Sequence, residues 1–171
     1  MSIVLIGYRG SGKTTLGQLL AQRLNRPFLD TDDWITRRAG CSIADIFARH
    51  GETHFRQIEH EAVLHAAQQS NHVIALGGGA LHPPANRHAF AAPDHRIVYL
   101  RCEPHELLRR IQADAARGHA RPPLTAHGGN LEEIRQVLAE REPIWREVMT
   151  HQLNVTSLSP EQAADALIPL L

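Results

Sequence analysis

An apolar strand that runs directly into a glycine-rich turn and then a helix leaves a chain few choices of fold, and residues 2–24 have that form. Ser2-Ile3-Val4-Leu5-Ile6 is a short β-branched run of the kind that fills a strand buried on both faces. Gly7-Tyr8-Arg9-Gly10-Ser11-Gly12-Lys13-Thr14 follows at once and satisfies G-x-x-x-x-G-K-[ST], and a helical pattern runs from Thr15 to Leu24. The glycines permit positive φ, so the N–H groups of Gly10, Ser11, Gly12, Lys13, Thr14 and Thr15 can converge on a polyphosphate. The helix N-terminus behind them adds unpaired N–H groups and the positive end of its dipole. Lys13 offers a compact charge to β- and γ-phosphates, and the Thr14 hydroxyl is a ligand for Mg²⁺. Lys13 is also the single lysine among the 18 Lys and Arg residues. The stretch is a phosphate-binding loop.

Strand-like and helix-like segments alternate beyond it, which predicts an α/β fold with a mainly parallel sheet. Pro27-Phe28-Leu29 reads as a second strand, ending in Asp30-Thr31-Asp32-Asp33, and Trp34 to Ala39 as a helix closed by Gly40. Ser42-Ile43-Ala44-Asp45 has capping-box spacing and opens a helix to about His50; Gly51 breaks it. Glu52 to Gln69 reads as a longer helix with Phe55, Ile58, Ala62 and Leu64/His65 near one face. Strands are expected at His72–Leu76, Arg96–Leu100 and Leu153–Thr156, and helices at Glu103–Arg117 and Leu131–Met149, the latter containing Pro143. Ser159-Pro160-Glu161-Gln162 caps a final helix. Gly118 to Asn130 has three glycines, two prolines and no apolar period, and a loop of that length in a compact domain is characteristically a binding element.

The bulk properties exclude other classes. A chain of 171 residues suits a single domain, and its 18 acidic and 18 basic side chains balance, so no nucleic-acid or membrane surface is indicated. No run approaches the ~18 apolar residues of a membrane span. Cys41 and Cys102 lie far apart without C-x-x-C spacing, as expected for reduced thiols of a cytoplasmic protein. Twelve histidines invite a metal reading. His60 and His65, however, stand five apart and diverge by roughly 140° around a helix, so the histidines are read as surface residues.

The loop binds a nucleotide without naming the reaction. A GTP switch needs Asn-Lys-x-Asp and Asp-x-x-G, both absent from the chain, which leaves a small kinase acting on a metabolite or nucleotide. Strand alternation puts Asp30 and Asp32 on one side, where two carboxylates can face the metal and the acceptor hydroxyl. Ala75 stands where an acidic residue is usual at the end of the third strand, so metal and base duties fall to Asp30 and Asp32. Gly77-Gly78-Gly79 lets a ligand approach the backbone closely. Arg56 and Arg141 are bidentate forks suited to an anionic acceptor, and Arg121 could close on the phosphates and stabilise transition-state charge.

These pieces together resemble the shikimate kinase family over essentially the whole chain. The matching stretches are Gly10-Ser11-Gly12-Lys13-Thr14-Thr15, Leu29-Asp30-Thr31-Asp32, Ser42 to Phe47, Gly51-Glu52 with Phe55-Arg56, Leu76-Gly77-Gly78-Gly79, Arg121-Pro122 and Arg141-Glu142-Pro143. The resemblance implies a three-layer P-loop kinase fold with a five-stranded parallel sheet in order 2-3-1-4-5, a shikimate-binding region at about 31–60 and a mobile lid at about 117–130. It implies ATP-dependent phosphorylation of the 3-hydroxyl of shikimate by a Mg²⁺-requiring, monomeric enzyme. By position, Asp32, Arg56, Gly78 and Arg141 would bind shikimate, with Gly77 and Gly79 beside them. Thr14 would bind Mg²⁺, Asp30 would hold it through water, Arg110 would lie against the adenine, and Arg121 would reach ATP from the lid. Catalysis would rest on Lys13, Asp32 and Arg121. A kinase for another polyol acid such as gluconate, and a non-catalytic nucleotide-binding regulator, are the alternatives. The first lacks the paired Arg56/Arg141 arrangement, and the intact Lys13, Asp32 and Arg121 argue against the second.

Overall fold

The run Ser2–Ile6 forms strand β1, and each of its residues is buried, as a central strand covered on both faces requires. A computed structural model describes residues 1–91, 94–116 and 129–171. The remaining strands are β2 (Phe28–Asp30), β3 (Val73–Ala75), β4 (His95–Arg101) and β5 (His151–Asn154). All pairings are parallel and the order is β2-β3-β1-β4-β5. The registers Leu5↔Ala75 and Asp30↔Ala75 bring the carboxyl ends of β1, β2 and β3 level, and the loops that follow them open on one edge of the sheet.

Helices flank the sheet: α1 (Lys13–Leu24), α2 (Thr31–Ala39), α3 (Ile43–Ala67), α4 (Pro84–Ala89), α5 (Pro104–Ala116), α6 (Leu131–Val148) and α7 (Pro160–Leu167). Both expected capping boxes form, Ser42 with Asp45 and Ser159 with Gln162. Helix α3 is kinked at Gly51, whose φ of 77° and ψ of 177° interrupt the helical path where the sequence predicts a break. On α1, Gly17 receives the Phe28 ring of β2 so closely that a methyl group there would overlap Cε2. The main core gathers β1, β3 and β4 with the inner faces of α1, α6 and α7. A second, smaller core joins α2 to α3 through Ile35, Ile46, Phe55 and Ala62.

Three expectations need correction. The inner face of α3 beyond the kink comprises Phe55, Glu59, Ala62, Val63 and Ala66, while Leu64 is exposed. That spacing of 4, 3, 1 and 3 residues fits a helical stripe better than one passing through Leu64. The last strand is His151–Asn154 rather than 153–156, because an edge strand alternates exposed and half-buried positions and the buried Val155 lies past its end. His95 is not a surface residue. It opens β4, its ring meets Phe90 edge-on at 5.1 Å, and burial holds its imidazole below the usual pKa. Cys41 is half-buried and Cys102 buried, both as free thiols. No helix among the described residues is long and apolar enough to cross a membrane.

Candidate active site

The loop between β1 and α1 has the conformation its glycines predict, with φ of +144° at Gly7, +80° at Gly10 and +90° at Gly12. Gly12 is the N-cap of α1 and supplies no side-chain acceptor, so the first-turn N–H groups are left for a ligand. Lys13 Nζ donates to the carbonyls of Gly7 at 2.9 Å and Tyr8 at 3.0 Å, which folds its ammonium back over the loop. The buried Ser11 hydroxyl has no hydrogen-bond partner among the described residues. The loop forms one wall of a cleft of about 520 Å³ that Asp30, Asp32, Leu76 and Gly78 also line.

Asp30 and Asp32 both reach this cleft, but not by strand alternation. Helix α2 begins at Thr31, so Asp30 is its N-cap and Asp32 lies in its first turn. Asp30 Oδ1 accepts from Asp32 N–H at 2.9 Å, and Oδ2 accepts from the Thr14 hydroxyl at 2.7 Å. Capping thus aims Asp30 at Thr14. The two oxygens form the kind of partial, all-oxygen donor set that Mg²⁺ uses when phosphates and waters complete its octahedron. Among the described residues no group of three His, Cys, Asp or Glu could hold a metal ion.

At the far end of the cleft, Arg110 Nη2 donates to the carbonyls of Val155 at 2.8 Å and Thr156 at 3.3 Å, while its Nε donates to Glu106 at 2.7 Å. Arg110 lines the cleft together with Leu158, Ser159 and Pro160, and a fixed guanidinium is a group on which a flat heterocycle can lie. Glu106 accepts from Arg109 and Arg110 together, and these bonds pull its carboxyl down to about 2.

The triple glycine is the second wall. A methyl group at Gly77 would stand 2.8 Å from Asp32 Oδ1, one at Gly78 3.3 Å from Arg141 Nη1, and one at Gly79 3.1 Å from Arg56 Nη1. Three charged side chains therefore converge on a backbone that has no side chains of its own. Gly77 N–H donates to Thr31 Oγ1 at 2.9 Å, which fixes the turn against α2. Arg56 is held by Glu59 at 2.7 Å and by Glu52 at 3.0 Å and 3.2 Å. Burial pushes the Glu59 carboxyl up, against the pull of Arg56. Arg141 forms no hydrogen bond or ion pair among the described residues, and burial, with Arg56 nearby, holds its guanidinium below the usual pKa. Buried cations without a partner carry a desolvation cost that an anionic ligand relieves.

The structure thus brings together Gly10 to Thr15, Asp30, Asp32, Arg56, Gly77 to Gly79, Arg110 and Arg141. Arg121, and with it residues 117–128 of the lid expected at about 117–130, lies outside the described residues. Sequence reasoning missed three charged groups. Glu59 stands three residues after Arg56 on α3, a spacing that could have paired them. Arg9 occupies a variable position of the loop, and Glu133, at the N3 position of α6, gives no sign in the sequence of being wholly buried.

Comparison with known proteins identifies a family. The family model for shikimate kinase matches residues 9–171. The chain is 43% identical over 144 residues to a shikimate kinase of Rhodopirellula baltica, covering 84% of this chain and 76% of that protein. It is 38% identical over 167 residues to one of Caldanaerobacter subterraneus, covering 98% and 94%. Among solved structures, the Acinetobacter baumannii shikimate kinase in complex with shikimate superposes with a TM-score of 0.87 at 30% identity, covering 99% of this chain and 91% of that one.

Proposed function

The chain belongs to the shikimate kinase family, and we propose that the convergence of Asp32, Arg56 and Arg141 on the triple glycine, beside the phosphate loop, is where shikimate is bound and phosphorylated. The reaction transfers the γ-phosphoryl group of ATP to the 3-hydroxyl of shikimate, giving shikimate 3-phosphate and ADP. The observation that carries this site assignment is Arg141: a largely buried guanidinium, without an ion pair among the described residues, next to a side-chain-free backbone. It suits the carboxylate of the acceptor, with Arg56 as the second fork. Asp32, across Gly77, is then left for the hydroxyl.

In this reading the Asp32 carboxylate orients the 3-hydroxyl and accepts its proton as the oxygen bonds to the γ-phosphorus and the β–γ bridging bond breaks. Lys13 neutralises charge on the β- and γ-phosphates, and the loop N–H groups hold them. Thr14 would ligate Mg²⁺ directly and Asp30 through water. The ion supplies charge neutralisation and orientation of the phosphates. Arg110 would lie against the adenine, and Arg121 would add positive charge near the phosphates. The working form is taken to be monomeric and cytoplasmic.

A coupled assay of ADP release tests the reading, run with shikimate, with gluconate and with no acceptor. Release that depends on shikimate supports it. Equal rates in all three would reduce the protein to a bare ATPase.

A further inference from the structure

The side of the site that faces the acceptor carries three guanidinium groups but not three uncompensated charges. Arg56 is paired with Glu59, whose side chain is 4% exposed. Arg9 is paired in the same manner: its Nη2 donates to Glu133 Oε1 at 2.7 Å, and the Glu133 side chain is wholly buried. Glu133 Oε2 accepts from Gly129 N–H at 3.1 Å, so both oxygens are engaged and the carboxylate cannot swing away. Arg9 borders the nucleotide cleft, and its backbone nitrogen lies 3.8 Å from where a side chain on Gly78 would begin. Its guanidinium carbon stands 5.9 Å from the Tyr8 ring, and Arg9, Glu133 and Arg141 all act on the Tyr8 hydroxyl, so the charges of the three share one neighbourhood. Only Arg141 of the three has no hydrogen bond or ion pair among the described residues.

We propose that Glu133 is a positioning residue that fixes Arg9 and cancels its charge, so that the acceptor site offers one uncompensated guanidinium and is matched to a monocarboxylate rather than to its phosphorylated product. The proposal rests on the assignment of the acceptor to Arg56, Arg141 and the triple glycine. Its consequence concerns release. Phosphorylation adds about 1.5–2 negative charges to the acceptor near neutral pH. A second uncompensated arginine beside the loop would gain more from the product than from the substrate, and turnover would stall on product dissociation.

The informative quantity is the ratio of the inhibition constant for shikimate 3-phosphate to the KM for shikimate, measured on purified full-length protein. Glu133→Gln keeps the side chain's shape and removes its charge, and it should lower that ratio about tenfold, as expected for one added charge near a partly screened site. Glu133→Asp retains the charge and should restore the ratio toward that of the wild type. The double variant Arg9→Met/Glu133→Leu removes one charge of each sign and should also keep the wild-type ratio. A lowered melting temperature with an unchanged ratio in Glu133→Gln would make the pair merely structural and overturn the proposal. If Glu133→Gln fails to fold, the double variant decides alone, since a raised ratio there would mean that Arg9 itself holds the product. Wild-type protein that neither phosphorylates nor binds shikimate would instead overturn the acceptor assignment, independently of any variant.

Discussion

The Thr14 hydroxyl donates to Asp30 Oδ2 across 2.7 Å, which joins the first turn of α1 to the carboxyl end of β2. In the proposed reading the lone pairs of that hydroxyl meet a cation whose waters Asp30 orients. Asp32, bonded through its backbone to the other oxygen of Asp30, lies against Gly77.

Asp30 and Asp32 should therefore fail differently. Asp32→Asn keeps shape and hydrogen bonding but cannot take a proton, and kcat should fall about 10²–10⁴-fold with little change in ATP affinity. Asp30→Asn weakens the metal's outer coordination, and raised Mg²⁺ should recover part of its activity. Kinetics of both variants across a magnesium titration separate the roles. Near-normal kcat in Asp32→Asn, with no metal rescue of Asp30→Asn, would mean they are misassigned.

Lys13→Met should lower kcat by about 10²–10³-fold, the span for removing a preorganised donor from developing charge. Shikimate binding measured by calorimetry should persist, because the acceptor's contacts are assigned to Asp32, Arg56 and Arg141, while Lys13 Nζ bonds to the loop carbonyls of Gly7 and Tyr8.

Arg141→Ala should act on the acceptor. Losing a charge-assisted bond worth about 1.5–3 kcal/mol raises the shikimate KM roughly ten- to a hundredfold. Arg141 has no protein partner among the described residues to be left stranded, so the melting temperature should hold or rise slightly. An unchanged KM would mean that the acceptor carboxylate is bound elsewhere.

Glu106 gives a stability prediction with a defined sign. Its carboxyl, held at about 2 by Arg109 and Arg110, lies below the ordinary glutamate value of 4.5, so the folded state favours the ionised form. That contribution is complete above about 4.5 and is lost as the pH falls through about 2. Solvent screening limits it to at most about 1 kcal/mol. Denaturant unfolding should find Glu106→Gln less stable than wild type by that amount at neutral pH, and the difference should shrink on acidification. A difference independent of pH would show that the ion pairs are not its source.

The parts of this molecule that were legible in the sequence are those fixed by local rules. The loop glycines, the two capping boxes and the break at Gly51 each express a backbone requirement within a few residues, and each appears where expected. The strand order came through the family resemblance, since parallel pairing joins segments with no local signature. What stayed hidden depends on burial. Glu59 and Glu133 look like surface glutamates until the fold encloses them beside an arginine. Asp30 and Asp32 line the cleft beside the loop, but not through strand alternation: β2 ends at Asp30, two residues short of Asp32, and a helix cap does the aiming instead.

Gly17 extends the same point to a residue that touches no ligand. It lies one helical turn after Thr14, against Phe28, which is two residues before Asp30 on β2. Alanine is the better helix former by roughly 1 kcal/mol, yet at this position a methyl group would overlap the Phe28 ring, and either the ring or α1 must give way. The contact of a bare backbone with one ring thus sets how closely α1 approaches β2, and where the helix is what gives way, a mutation there would appear in an assay as altered demand for the metal proposed to bind at Thr14, in a residue no binding experiment would single out.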